Sequence, residues 1–180
     1  GGPGLAFDPI VVSGPNTSLP HGVAGERVIQ KGDFVTMDFG ASYMGYCSDM
    51  TRTVALGQVS DEQKAVYDTV LKAHLAVIDY VKPGVVCSDV DKVARDIIEK
   101  DYPGTFGHGL GHSLGLNIHE DPRASRTYTG TFPARSIVTI EPGIYLPGNF
   151  GVRLEDFGLM TAEGFVPFTQ STHELVCIDC

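Results

Sequence analysis

Apolar and polar positions alternate in short runs at both ends of the chain and repeat at helical spacing in the middle. Ile10-Val11-Val12-Ser13 reads as a short buried strand, closed by the turn signal Gly14-Pro15-Asn16. After the polar turn Lys31-Gly32-Asp33, a strand is predicted through Phe34-Val35-Thr36-Met37-Asp38. The chain then reverses near Ala41 to Gly45 into a second strand from Asp49 to Leu56, giving a hairpin. Ser60-Asp61-Glu62-Gln63 has the form of a capping box, and Val66, Val70, Ala73, Val77, Ile78 and Val81 follow on one helical face. Lys82-Pro83-Gly84 stops that helix. A second is predicted from Ser88, with Val90, Val93, Ala94, Ile97 and Ile98 inward, ending before Tyr102-Pro103-Gly104. Beyond it, Ile137 to Ile140, Val152 to Leu154, Gly158 to Met160 and a final Leu175 to Ile178 read as strands. The expectation is an α+β domain with a mostly antiparallel sheet.

Composition narrows this picture. With 180 residues, 42% hydrophobic and 19% charged, the chain is long and apolar enough for one folded core. Its 22 acidic against 13 basic residues argue against a nucleic-acid surface, and nothing resembles a polybasic membrane anchor. No apolar run is long enough to cross a membrane. Gly1-Gly2-Pro3-Gly4 carries no leader pattern and no initiator Met, so the chain reads as a fragment, a processed product or a single domain. Four cysteines without a disulfide-like framework fit a reducing, cytoplasmic compartment. The terminal Cys177-x-x-Cys180 reads as part of the last strand, with Cys as a small apolar filler.

Chemistry is concentrated in a few segments. Asp38 and Asp49 stand on the two arms of the hairpin, where cross-strand pairing would put them on one face. A carboxylate at a buried strand position is costly unless paired or metal-bound. Gly107 to Glu120 holds His108, His112 and His119 among alternating glycines, which let the backbone approach a ligand or metal closely. Glu141 ends an apolar strand before Pro142-Gly143. Glu155 follows Arg153 by two residues, so the two share a strand face, and an ordinary Arg–Glu pair is the plain reading. The four carboxylates Asp38, Asp49, Glu141 and Glu155, with His112, balance two divalent cations in charge. Oxygen and imidazole donors suit Mn²⁺, Co²⁺ or Zn²⁺ at catalytic sites.

Taken together, Ser13-Gly14-Pro15-Asn16, Leu19-Pro20-His21-Gly22, Met37-Asp38-Phe39-Gly40, Ser48-Asp49-Met50-Thr51-Arg52-Thr53, His108 to Glu120, Thr139-Ile140-Glu141-Pro142-Gly143-Ile144-Tyr145 and Gly151-Val152-Arg153-Leu154-Glu155-Asp156 resemble the pita-bread metallopeptidases. Within them the motifs are similar to the aminopeptidase P and prolidase branch, and they run over nearly the whole chain. The resemblance implies a curved, mostly antiparallel sheet with helices on one face, here without the first-half helices and without a separate N-terminal domain. The uncovered half of the sheet is then expected to expose apolar surface.

The resemblance also implies roles. Asp38 would hold one metal, Asp49 and Glu155 would bridge both, and His112 and Glu141 would hold the second. His21, His108 and His119 would surround the substrate, and Arg153 would steady the site beside Glu155. The implied cofactor is a pair of divalent metals, manganese foremost, with cobalt, zinc or iron as the others. The implied reaction is hydrolysis of the bond before a proline in second position, by a hydroxide bridging the metals. His119 would stabilise the oxyanion, Glu141 would handle the water proton, and His21 or His108 would assist the leaving nitrogen. The full-length protein is expected to be a homo-oligomer. The alternatives are a relative without peptidase activity, acting as a metal-independent enzyme or a binding module, and an inactive fragment of an active parent. Two departures from the family pattern are Ser113, which would crowd or re-aim His112, and Asn117.

Overall fold

The structure, a computed structural model, describes residues 2–179. In chain order the elements are β1 (Gly4–Leu5), β2 (Ile10–Ser13), a 3-10 turn (Gly14–Ser18), β3 (Phe34–Phe39), β4 (Ala41–Tyr43), β5 (Tyr46–Cys47), β6 (Met50–Leu56), α1 (Asp61–Tyr80), α2 (Cys87–Asp101), β7 (Gly111–Ser113), β8 (Glu120–Ala124), β9 (Ile137–Ile140), β10 (Gly143–Leu146), β11 (Phe150–Arg153), β12 (Asp156–Met160), β13 (Phe165–Pro167) and β14 (Cys177–Ile178).

Helix α1 starts where its capping chemistry dictates. The Gln63 backbone N–H donates to Ser60 Oγ at 3.2 Å and the Ser60 N–H donates to Gln63 Oε1 at 2.9 Å, so two otherwise orphaned donors are satisfied. Its buried stripe is Val66, Tyr67, Val70, Ala73, His74 and Val77. The expected apolar positions are there, with Ile78 only half-buried, and a tyrosine and a histidine share the stripe with them. Helix α2 buries Cys87, Val90, Ala94 and Ile98 together with the ion pair Asp91–Arg95, while Val93 and Ile97 are half-buried. No helix among the described residues is long and apolar enough to cross a membrane.

The strands form two main sheets. One has the order β14-β6-β3-β2, the other β13-β12-β9-β7-β8, and β10 and β11 pair as a hairpin. All pairings are antiparallel except β14 on β6. Helices α1 and α2 pack on β8 to β11, around a core that includes Phe34, Phe106, Leu110, Phe132, Ile144 and Leu154. The two sheets meet at an isolated bridge between Thr51 and Glu155. On β3 the inner row is Phe34, Thr36 and Asp38. The outer row Val35, Met37 and Phe39 faces away from the helices. With Val11 and Phe39 at 44% and 42% exposure, that side of the sheet is left apolar and open.

The turn expected after β2 is present, as a 3-10 turn with Gly14 at φ +53°. Other local expectations are corrected. The reversal after β3 is itself a small sheet of β1, β4 and β5, because Gly40 brings the backbone against Ser48, where a Cβ would lie 1.8 Å from a carbonyl oxygen. Strand β14 is shorter than expected and Cys177 is exposed, so it fills no core. Cys180 lies outside the described residues.

Candidate metal centre

Asp38, near the end of the inner row of β3, stands opposite Thr51 of β6. Asp49 continues the row of Thr51 and Thr53 but precedes the strand, so the two aspartates share a face without being a cross-strand pair. His112 comes from β7, Glu141 from the residue after β9, and Glu155 from the junction between β11 and β12. These five residues, with His21, His108, His119 and Arg153, line one cleft of about 740 Å³.

One of the glycines beside His112 has a different purpose from the one expected. A Cβ on Gly111 would lie 2.1 Å from the Thr139 carbonyl oxygen, so this glycine lets β7 approach β9 rather than a ligand. The loop before it is held from behind by α2. Arg95 donates to the Phe106 carbonyl at 2.6 Å and to the His108 carbonyl, and Asp91 Oδ1 accepts from the Leu110 N–H at 3.1 Å.

Atoms of Asp49, His112 and Glu155 lie within 4.8 Å of one another. His112 Nε2 is 3.4 Å from Glu141 Oε1 and 3.7 Å from Asp49 Oδ2. His112 Nδ1 is 3.0 Å from the Ser113 carbonyl, which only accepts, so Nδ1 carries the proton and Nε2 presents its lone pair to the carboxylates. Lone pair facing carboxylate calls for a proton or a cation between them. The Ser113 hydroxyl donates to the Pro122 carbonyl at 2.8 Å, away from the ring, so Ser113 orients His112 through its backbone and does not crowd it.

Electrostatics express the same crowding. Burial and then Glu155, Asp38 and Glu141 push the Asp49 carboxyl up to about 10. Burial and Asp38 push Glu155 up to about 8, and burial with Glu155 raises Glu141 well above the usual range. Burial lowers His112 to about 4. Arg153 is the one cation placed among these carboxylates in the described residues. Burial alone would lower its pKa, but Tyr145, Asp38, Glu155 and Glu141 raise it above its ordinary value. Its ion-pair partner is Asp38, at 2.6 Å, and not the expected Glu155. It reaches Glu155 only indirectly: Arg153 Nε donates to Thr51 Oγ1 at 3.0 Å, and Thr51 Oγ1 donates to Glu155 Oε2 at 2.7 Å.

Oδ1 of Asp38 and Oδ1 of Asp49 are buried and without a hydrogen-bond partner. Buried carboxylate oxygens are normally satisfied. Orphaned oxygens, an imidazole lone pair and an excess of negative charge in one pocket fit a hard or borderline divalent cation, and cysteine is not among the donors.

Three contributors escaped the motif reading. Tyr145 Oη donates to His108 Nε2 at 2.8 Å and accepts from Arg153 Nη1 at 3.0 Å. His108 Nδ1 donates to the Gly109 carbonyl, which leaves Nε2 as the acceptor. Burial holds His108 near 4 and pushes Tyr145 up to about 12. Thr51 links Arg153 to Glu155, as described above. Arg52 donates to the Glu155 carbonyl at 2.7 Å. Tyr145, Thr51 and Arg52 all lay inside the quoted motifs, and period-two alternation from Asp49 was the one signal that marked Thr51 as inward. Around the cleft His21 and His119 are exposed, and the His119 ring stands edge-on to His112 with centroids 4.5 Å apart.

Comparison with known proteins agrees with this geometry. The family model for metallopeptidase family M24 matches residues 1–162. A Xaa-Pro dipeptidase of Pyrococcus horikoshii is 43% identical over 95% of this chain and 49% of its own length. The solved Xaa-Pro dipeptidase from Bacillus anthracis superposes with a TM-score of 0.96 at 47% identity, over 99% of this chain and 50% of that one. An X-Pro aminopeptidase from Thermotoga maritima gives 0.95 at 42% identity, over 99% of this chain and 51% of that one. The chain thus spans about half the length of the curated relatives it matches. With its α+β architecture of curved antiparallel sheets backed by two helices, the chain belongs to metallopeptidase family M24 and has the pita-bread fold.

Proposed function

We propose that this chain carries the catalytic centre of a metal-dependent exopeptidase that hydrolyses the bond before a proline in the second position of a peptide. The observation that carries the reading is the convergence of Asp38, Asp49, His112, Glu141 and Glu155 on one cleft, with two buried carboxylate oxygens unpartnered. Similar proteins are named Xaa-Pro dipeptidase and X-Pro aminopeptidase, which supports proline-directed cleavage from the N-terminus.

These five residues would hold two divalent cations, manganese foremost. When bound, the metals would supply a lowered pKa for a water and polarisation of the scissile carbonyl. Glu141 is our candidate to receive the water's proton. His119, exposed on the cleft wall beside His112, is our candidate donor to the carbonyl oxygen as negative charge develops there. His108, its ring held by Tyr145 at Nε2 and by the Gly109 carbonyl at Nδ1, is our candidate to assist the departing nitrogen. His21 would serve the same end of the substrate from the cleft mouth. The substrate's amino group would lie near Asp38, whose charge Arg153 shares. Arg153 thereby fixes Asp38 and Tyr145 in one arrangement.

The test is hydrolysis of Xaa-Pro and Xaa-Pro-Xaa peptides by the full-length protein loaded with manganese, cobalt, zinc or iron, beside Asp49→Ala. Cleavage before proline that vanishes in the variant is expected. Equal rates in the two proteins would remove the peptidase reading.

A further inference from the structure

Directly behind the candidate metal centre lies a second set of titratable side chains that the proposed chemistry does not use. Asp156 follows Glu155 but points to the opposite side, where it is fully buried against α1. His74 Nε2 and His173 Nε2 lie 3.0 and 2.6 Å from its Oδ2, and Arg52 Nη2 donates to its Oδ1 at 2.6 Å. The same guanidinium holds the segment after β13, donating from Nε to the Thr172 carbonyl at 3.0 Å and from Nη2 to the Ser171 carbonyl at 3.1 Å. Its Nη1 donates to the carbonyls of Thr51 and Glu155, at 2.9 and 2.7 Å. Those two residues form the bridge between the sheets, so one guanidinium sets the backbone on both sides of it.

Two histidines and a carboxylate could in principle take a metal of their own. The hydrogen bonding argues otherwise. His74 Nδ1 is buried and has no partner. A metal on Nε2 would force the proton onto Nδ1 and leave a donor unpaired in the core, which is rarer and costlier than an unpaired lone pair. With the proton on Nε2, His74 donates to Asp156, His173 donates to the same oxygen, and Arg52 supplies the compensating charge.

We propose that His173 and His74, acting through Asp156 and Arg52, are positioning residues that fix Glu155 in the metal centre. This rests on the reading of Glu155 as a metal-holding residue. Outer-shell partners of this kind typically change metal affinity by about 10- to 100-fold when removed. The histidine pair orients the Asp156 carboxylate, the carboxylate orients the Arg52 fork, and the fork orients the Glu155 and Thr51 backbones. Tyr67 steadies the far end by donating to the His173 carbonyl at 3.0 Å.

The test is manganese titration of the full-length protein, followed by loss of the free-ion electron paramagnetic signal, well below the melting temperature. Four proteins are compared: wild type, His173→Leu, His173→Gln and Glu155→Gln. His173→Leu is expected to weaken manganese binding about 10- to 100-fold, and to lower kcat with KM little changed, because no residue of this group lines the cleft. His173→Gln, which keeps an N–H donor at that reach, is expected to recover most of the affinity. Wild-type affinity in His173→Leu, with only a lower melting temperature, would make the group a structural clasp and overturn the proposal. Wild-type affinity in Glu155→Gln would instead overturn the metal-centre reading beneath it. If His173→Leu does not fold, Tyr67→Phe loosens the same segment. Weaker manganese binding there supports the proposal, and unchanged binding overturns it.

Discussion

Glu155 and Asp156 are neighbours in sequence, both buried, and their carboxyl groups are driven in opposite directions. Burial first, and then the charges of Asp38 and of Asp156 itself, raise Glu155 to about 8. For Asp156 burial also favours the neutral acid, but hydrogen bonds from His74 and Arg52 and the charge of Arg52 outweigh it and hold the group below its ordinary value. One cluster is balanced from within. The other sets a single cation, Arg153, against four carboxylates among the described residues. Acidic side chains at one depth in one fold can therefore stabilise or destabilise the bare protein, according to whether the counter-charge comes with the chain.

The strongest way to break this comparison is to delete one carboxylate from each cluster in metal-free protein. Asp156→Ala leaves Arg52 buried without its partner and is expected to cost about 3–5 kcal/mol in denaturant unfolding. Asp49→Ala removes one of four crowded acids and is expected to raise metal-free stability while abolishing manganese binding and hydrolysis. Destabilisation of similar size in both variants would show that the two clusters do not differ as described.

Replacing the oxyanion donor without touching a metal-holding group sharpens the distinction within the cleft. His119→Ala is expected to lower kcat by about 10²- to 10³-fold with bound manganese unchanged, as metal analysis of the purified variant would show. Loss of metal along with activity would place His119 among the ligands instead.

The pH dependence of melting separates the clusters next. Because Glu155 and Asp49 have raised carboxyl pKa values when folded, the folded state binds the extra protons. Metal-free stability is then highest below their unfolded values and falls as pH rises toward about 8 and 10. Asp156 has the opposite sign: its contribution is present above its unfolded value of 3.8 and is lost on further acidification. Thermal melts in chelator are expected to show a maximum in mildly acidic solution, with manganese restoring stability selectively at higher pH. A flat profile in chelator from pH 5 to about 9 would contradict the crowding of the carboxylates. The smallest effect is expected from Tyr145→Phe. It removes one hydroxyl between Arg153 and His108 and should cost about 1–3 kcal/mol of stability with metal binding intact.

Both helices were legible because they rest on local rules, such as the Ser60–Gln63 capping box, the Val66 to Val77 spacing and the Pro83-Gly84 stop. Apolar runs marked β2, β3, β6, β9, β11 and β12, whereas β7, β8, β10 and β13 were not predicted. The residues now seen around the cleft were legible as motifs. Their connections were not. Which carboxylate Arg153 pairs with depends on how β3 and β11 lie together in space, and a shared strand face pointed to Glu155 when the partner is Asp38. The Gly111 signal was real but ambiguous, since a missing Cβ admits a neighbouring strand as readily as a ligand. His74 looked like nothing, because a histidine on an apolar stripe carries no mark of the aspartate 82 positions later that it meets. The reversal between β3 and β6 hid its own small sheet, which is held partly by the long-range bond from the Cys47 N–H to the Gly115 carbonyl.

Among the described residues one bridge, between Thr51 and Glu155, joins the two sheets, which leaves them thinly stitched by backbone bonds. Asp38 and Asp49 lie on one side of that seam, His112 and Glu141 on the other. Any ion gripped by both sets would tie together stretches of chain far apart in sequence, as a covalent cross-link does, and its departure would free both sheets at once. Hydrogen exchange along β6 and β12, slowed together by the same ion, would be the signature of such a rivet.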